Sequence, residues 1–383
     1  LADFRSGSYI SDVNNDGLSD IVKSTTSGKQ TFLNNGYGGW ETASDFITPI
    51  AFYKDNVSPA DRGFRIFDVN GDNLPDLVGD EKTFLNNSSS WILDKSWSTW
   101  CAPFVDRNDR DTGVRITDVN ADGMLDGIHI TGTTISETKV CLNNSKPVDF
   151  LSSISFPTGA KVDITYQSSA QYKKDTNNNL LNPKLPLIIQ TVNTVTTNDG
   201  NGNNSATSYN YEAGSYFFKN SLNRKFAGFN KVTEIDSIGN TTTTHYHQGN
   251  TSDSSHGEYD DDEWKIGKPY RTETADSSGN IYSKTINKWD DFDLGNGSKF
   301  VKLAQSINYT YDSDANHKDK AESYTYDNTN GNITQKIEYG EVAGSDDGSF
   351  NDVGSDKFIT NLTYASGSDN LTGLVSSQNI VDQ

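Results

Sequence analysis

Short apolar or β-branched runs alternate along this chain with clusters of Asp, Asn, Gly and Ser, and no segment carries the spacing of a long amphipathic helix. Phe64-Arg65-Ile66-Phe67, Leu77-Val78 and Val114-Arg115-Ile116-Thr117 are such runs, and each reads as a strand flanking a turn. Ala160-Lys161-Val162-Asp163-Ile164-Thr165-Tyr166-Gln167 alternates polar and apolar positions, as a half-buried strand does. The pattern predicts an all-β chain.

Between the first strands lies one loop in three copies, of the form D-V-N-x-D-[GN]-x-x-D. Side-chain oxygens fall at positions 1, 3, 5 and 9: Asp12, Asn14, Asp16 and Asp20; Asp68, Asn70, Asp72 and Asp76; Asp118, Asn120, Asp122 and Asp126. Leu18, Leu74 and Met124 offer a backbone carbonyl at position 7. That alternation suits a hard cation with six or more oxygen ligands, calcium before magnesium. Gly17, Asn73 and Gly123 occupy position 6, where a left-handed turn is expected. These are not EF-hands, since position 12 is Lys23, Gly79 or His129 in place of a bidentate Glu. The alternative is a set of Asx-rich turns without metal.

The loops belong to a longer unit. They begin at Asp12, Asp68 and Asp118, a spacing of 56 and then 50 residues. Each is followed by a second shared element, Thr31-Phe32-Leu33-Asn34-Asn35, Thr83-Phe84-Leu85-Asn86-Asn87 and Val140-Cys141-Leu142-Asn143-Asn144, the first two leading to Trp40 and Trp91. Repeats of this length with several short strands predict propeller blades, which must stack to bury their faces. Residues 1–148 thus read as three blades of an incomplete β-propeller. Propellers close with about 4–8 blades, so a longer parent protein is expected.

Composition narrows the classes. Hydrophobic content is only 33% of 383 residues, yet 18 Tyr, 18 Phe and 6 Trp exclude a disordered chain. A net charge of −20 argues against nucleic acid and anionic membranes as partners. No apolar run approaches the ~20 residues of a membrane span. Cys101 and Cys141 fall near the end of the second blade and in the third. A bridge between adjacent blades, suited to an oxidising compartment, and two buried free thiols are both compatible with that placement.

Character changes near residue 148. From 149 to 383 the calcium-type loops give way to alternating strands. Residues Lys173 to Asn179 and the turn Asn198-Asp199-Gly200-Asn201-Gly202 read as loops. Three hairpins share a D-x-x-G-N turn: Asp236 to Asn240, Asp276 to Asn280 and, with one extra residue, Asp327 to Asn332. Gly and Asn supply the positive-φ positions of a tight hairpin. A continuous antiparallel sheet is predicted, with Tyr209, Tyr211, Tyr324 and Tyr326 in cross-strand rows.

These residues carry a resemblance. Tyr324-Thr325-Tyr326-Asp327 followed by Gly331-Asn332-Ile333-Thr334 resembles the YD repeat of Rhs proteins, and the loop and Leu-Asn-Asn units resemble FG-GAP-type repeats. Ile154-Ser155-Phe156-Pro157-Thr158-Gly159-Ala160, Lys184-Leu185-Pro186, Tyr209-Asn210-Tyr211-Glu212, Arg224-Lys225-Phe226-Ala227-Gly228-Phe229 and Gly267-Lys268-Pro269-Tyr270 follow in an order similar to the B component of bacterial Tc insecticidal toxins. The resemblance implies a secreted, extracellular toxin. Its propeller would gate an exit and dock on a translocation (A-type) subunit. Its YD-repeat sheet would form a shell around a C-terminal toxic cargo.

No catalytic set stands out. Five histidines, His129, His245, His247, His256 and His317, are scattered. His245 and His247 fall on one strand face and read as a surface pair with no further ligand in preference to a metal pair, and Asp260-Asp261-Asp262-Glu263, whose carboxylates could bind cations, reads as a solvated acidic loop. No Ser-His-Asp arrangement or Gly-rich phosphate loop is present. Two non-enzymatic functions therefore compete: the toxin shell and gate, and an extracellular calcium-stabilised adhesin; a polysaccharide-active enzyme on a propeller is a weaker third, and the empty catalytic search counts against it.

Overall fold

The computed structural model describes residues 7–55, 60–79, 82–96, 101, 103–130, 138–145, 150–173, 179–220, 223–249, 252–295, 297–312, 315–365 and 372–383. The chain divides into two compact units, Leu1–Phe150 and Leu151–Gln383. The sequence boundary at 148/149 lies outside the described residues, as does most of the Lys173–Asn179 stretch. Among the described residues every extended element is a strand, and the helical elements are short 3-10 turns.

The first unit is a series of antiparallel sheets in chain order. Ser8–Ser11, Asp20–Ser24, Lys29–Asn34 and Trp40–Ala43 form the first. Arg65–Phe67, Asp76–Val78, Thr83–Asn86 and Trp91–Asp94 form the second, and Val114–Thr117, Asp126–Ile130 and Thr138–Cys141 the third. Each Asp-rich loop joins the first two strands of its sheet. Apolar residues just inside the loops and strands supply the glue between sheets. Val13 and Val22 of the first sheet pack with Leu77 and Phe84 of the second, and Phe46 and Phe52 lie between them. Val69 and Val78 pack in turn with Phe104 and Val114. Val13, Val22, Val69 and Leu77 are wholly buried. Each contributes about 1.5–3 kcal/mol relative to exposure. No sheet holds both faces of its own core, so neighbours stabilise one another. A disulfide joins Cys101 to Cys141 of the third sheet, with Cα atoms 5.4 Å apart.

The second unit is one open, 14-stranded antiparallel sheet. Thirteen of its strands pair strictly in chain order, from Ser153–Ser155 and Lys161–Ser168 to Phe358–Tyr364 and Val375–Asp382. The short strand Phe350–Asp352 pairs aside on Ile333–Gly344. Polar, β-branched strands such as Thr241–Tyr246 suit this arrangement, since strand pairing needs little apolar burial. An apolar row does run across the middle. Ile286 faces Ile307, which faces Ala321, and Tyr309 and Val342 complete the buried cluster. The four tyrosines do not face one another. Tyr209, Tyr211, Tyr324 and Tyr326 lie opposite Glu234, Val232, Lys336 and Ile333. Tyr211 instead meets Tyr172 and Phe229, and Tyr326 meets Phe300.

Candidate functional site

In each Asp-rich loop the first aspartate gathers the backbone around itself. Asp12 accepts the N–H groups of Asp16 and Gly17 at 3.2 and 2.8 Å. Asp68 accepts those of Gly71 and Asn73 at 2.6 and 2.8 Å, and Asp118 those of Asp122 and Gly123 at 3.2 and 2.8 Å. Position 5 takes the N–H of position 7: Asp16 from Leu18, Asp72 from Leu74 and Asp122 from Met124, each at 2.8 Å. The amides of Asn14, Asn70 and Asn120 donate to Asp16, Asp72 and Asp122. Gly17, Asn73 and Gly123 are left-handed at φ 85°, 63° and 91°. So are Asn15, Gly71 and Ala121 at position 4, which sequence reasoning missed.

Position 9 has a second task. Asp20, Asp76 and Asp126 are wholly buried. One carboxylate oxygen of each accepts the N–H of the loop valine, Val13, Val69 or Val119, at 2.8–3.0 Å. The other accepts the N–H of the first Asn in the Leu-Asn-Asn element, Asn34, Asn86 or Asn143, at 2.7–2.9 Å. In the second and third sheets that Asn then reaches the preceding sheet. Asn86 donates its amide to the Val13 carbonyl and Asn143 to the Val69 carbonyl, both at 2.8 Å. The two sequence motifs are therefore one device: a carboxylate positions an amide, and the amide locks one sheet to the next. Nothing in the spacing of 73 and 74 residues could have disclosed that contact.

The middle loop is the best assembled for a cation. Ligand oxygens of Asp68, Asp72 and Asp76 lie within 4.8 Å of one another. Burial, and then the neighbouring Asp72 and Asp68 carboxylates, push Asp76 up to about 7. Burial likewise raises Asp20 and Asp68. Carboxylates crowded together and lifted in this way are short of positive charge. Each position-9 oxygen accepts one N–H and retains a second lone pair, so the donor set fits a calcium ion.

The second unit repeats a different device. Asp236 accepts the N–H groups of Ile238 and Asn240, and Asn240 donates its amide back. Asp276 does the same with Ser278 and Asn280. The Asn280 amide and backbone N–H groups hold the Asp276 carboxyl below its usual range. Asp199 forms a further copy with Asn201 and Asn203, with Gly202 left-handed at φ 98°. Its turn is also D-x-x-G-N, a signal present in the sequence but read only as a loop. Asp327 closes its longer turn through Thr329 and Asn330.

Stacked sheets locked loop to strand, followed by one meander of repeated hairpins, define a repeat-built all-β scaffold. Among the described residues no helix is long and apolar enough to cross a membrane. The comparisons place this scaffold beside Tc toxins. A family model described as the insecticide toxin TcdB middle/N-terminal region matches residues 104–256. The fold is that of a TcdB2–TccC3 crystal structure, at 17% identity and a TM-score of 0.71 over 98% of this chain and 22% of that one. It is likewise that of a Photorhabdus luminescens Tc holotoxin pore carrying a TccC3 substitution, at 18% identity and a TM-score of 0.69 over 99% of this chain and 21% of that one. A second TcdB2–TccC3 structure agrees, at 16% identity and a TM-score of 0.67 over 99% and 22%. The chain spans about a fifth of those solved chains. No curated protein matches it.

Proposed function

We propose that this chain is a shell and gate segment of a secreted bacterial Tc/Rhs-type toxin. The observation that carries the reading is the open meander of residues 151–383, whose fold matches the Tc structures over nearly the whole chain. A sheet that pairs strand to strand and keeps its buried apolar residues in small separate clusters can extend as a wall around a cargo. Residues 1–148 are FG-GAP-type propeller blades in this reading, and 149–383 the Tc-B-like middle region and the YD-repeat shell. The partners are a translocation subunit and a C-terminal toxic domain, and the role is not enzymatic.

The blade reading rests on the amide lock. Val13 and Val69 are covered by the following sheet, whereas Val119, the third copy, is 43% exposed. A further blade would cover it and take up its carbonyl. In the same reading the three loops hold calcium through Asp12, Asn14, Asp16, Leu18 and Asp20 and their equivalents in the other two copies. The cation offsets the carboxylate crowding that burial makes costly.

Protease protection tests the shell. The assembled toxin particle containing this chain is digested alongside free cargo domain, and cleavage is followed by mass spectrometry. Protected cargo inside the intact particle is the expected result. Cargo cut as fast as the free domain overturns the shell, and saturable binding of the particle to host glycans in that case favours the adhesin.

A further inference from the structure

The excursion between strands Thr241–Tyr246 and Pro269–Ala275 contains a cluster that the shell reading does not use. His247 follows the strand end, after a register shift between His245 and Tyr246, and both imidazoles pack against the Tyr270 ring. His247 is 1% exposed, so the expected surface histidine pair does not exist. The acidic run is not simply solvated either, because the Asp261 side chain is fully buried. His247 Nδ1 shares a hydrogen bond with Asp261 Oδ1 at 3.2 Å, where a metal would replace the proton, and lies 3.5 Å from Glu258 Oε1. All three ligand atoms fall within 4.8 Å of one another.

Glu258 Oε1 is buried and has no hydrogen-bond partner. Its other oxygen is anchored by the Asp253 N–H at 3.0 Å, which fixes Oε1 toward the histidine. A buried carboxylate oxygen left without a donor is destabilising. Lys265 is buried in the same excursion but donates to the Tyr259 and Asp260 carbonyls at 3.3 and 2.8 Å, so its charge is not spent on Glu258. Two carboxylates and one imidazole are thus set together in a buried cluster.

We propose that His247, Glu258 and Asp261 form a structural site for a zinc-class divalent metal. Ligands about 2.0–2.1 Å from a tetrahedral metal stand about 3.3 Å apart, which matches the separations from His247 Nδ1. One imidazole with two carboxylates suits a borderline ion, whereas calcium prefers oxygen alone. The supporting bonds are built: the Gly249 N–H donates to Asp261 Oδ1 at 2.8 Å, and the His247 backbone is held by Lys268 and Gly267. Gly257, at φ 92°, lets the turn approach Ile286 where a Cβ would stand 2.5 Å from its methyl. Glu258 also lines a cavity of about 610 Å³ with Gln248, Ser252, Asp253 and Tyr270. The metal pins the tip of the excursion, Glu258 and Asp261, to its base at His247.

The test uses the full chain with calcium in excess, so that the Asp-rich loops are saturated. Cobalt(II) alone is titrated and read by visible absorption. Zinc content is measured after dialysis, and melting is followed with and without zinc. One equivalent of zinc, a tetrahedral-type cobalt spectrum and a zinc-dependent rise in melting temperature are expected. Glu258→Gln keeps the shape and should weaken cobalt affinity by roughly 10–100-fold. His247→Ala should abolish the spectrum, and Asp68→Asn in the calcium-type loop should leave it intact. A cobalt spectrum that is absent, or unchanged in both site variants, overturns the proposal. So does a Glu258→Gln protein that melts above wild type and ignores zinc, because Glu258 is then a neutral buried acid.

Discussion

Ala121 carries a conformation that its neighbours in the other loops hold more cheaply. Its φ is 60°, and the equivalent positions are Asn15 and Gly71. A Cβ in the left-handed region costs about 1–2 kcal/mol, and glycine removes that strain while adding unfolded-state entropy. Ala121→Gly should therefore stabilise the first unit by about 0.5–1 kcal/mol, read from urea midpoints. An unchanged or lower midpoint contradicts the strain. Asp346 shows the electrostatic counterpart. Burial pushes its carboxyl up, but the Lys284 hydrogen bond and the Arg271 and Lys284 charges outweigh burial and hold it below its usual range. Lys284 and Arg271 side chains are only 6% and 9% exposed, and Asp346 is 56% exposed. A depressed carboxyl adds stability that is present above its unfolded value near pH 4 and lost as the pH falls through its folded value. Asp346→Asn should cost about 1–2 kcal/mol at pH 7, reduced from the buried-pair range by solvent screening. The difference from wild type should close toward pH 3 in unfolding curves. A constant difference at both values would mean that charge is not the cause.

At the scale of elements, the joints between sheets carry the argument. Asn86 sends its amide to the Val13 carbonyl at 2.8 Å, whereas among the described residues Asn34 donates its amide to the neighbouring Ser19 carbonyl at 3.4 Å. Asn86→Ala takes the side-chain donor from the buried Val13 carbonyl and keeps the backbone N–H bond to Asp76, so a loss of about 1–3 kcal/mol is expected. Asn34→Ala should cost clearly less, and equal losses in thermal melts would remove the lock. The Cys101–Cys141 bridge closes a sequence separation of 40 residues. Chain entropy assigns such a loop about 4 kcal/mol. Replacing both cysteines with Ala should lower the melting temperature of the first unit and leave the second unit unchanged, as hydrogen exchange would report. The hairpin turns were more legible than these joints. Asp236, Asp276 and Asp327 disclosed a D-x-x-G-N device because all its bonds close within a few residues. Asp199 uses the same device and was missed only because Gly200 and Asn201 made it look like an ordinary flexible turn.

At the scale of the whole molecule, the net charge of −20 and the crowded carboxylates of the middle loop make cation removal the informative perturbation. A calcium chelator should lower the melting temperature of the first unit and leave that of the second, because the Asp-rich loops lie only in residues 12–20, 68–76 and 118–126. Separate loss of the second unit under a zinc-selective chelator would report the His247 cluster instead. A melting profile indifferent to calcium would return the loops to metal-free Asx turns. What the sequence by itself determined was local: β-branched runs, left-handed turn positions and oxygen donors in a fixed register, all set by bonds within nine residues or fewer. What only the tertiary structure decided was what those groups meet. Asn86 finds Val13 across 73 residues. His247 turns from a strand end toward Glu258 and Asp261. The four tyrosines face Glu234, Val232, Lys336 and Ile333 in place of one another. Register shifts and burial fix those encounters, and both depend on the sum of many weak contacts between segments that no short motif contains.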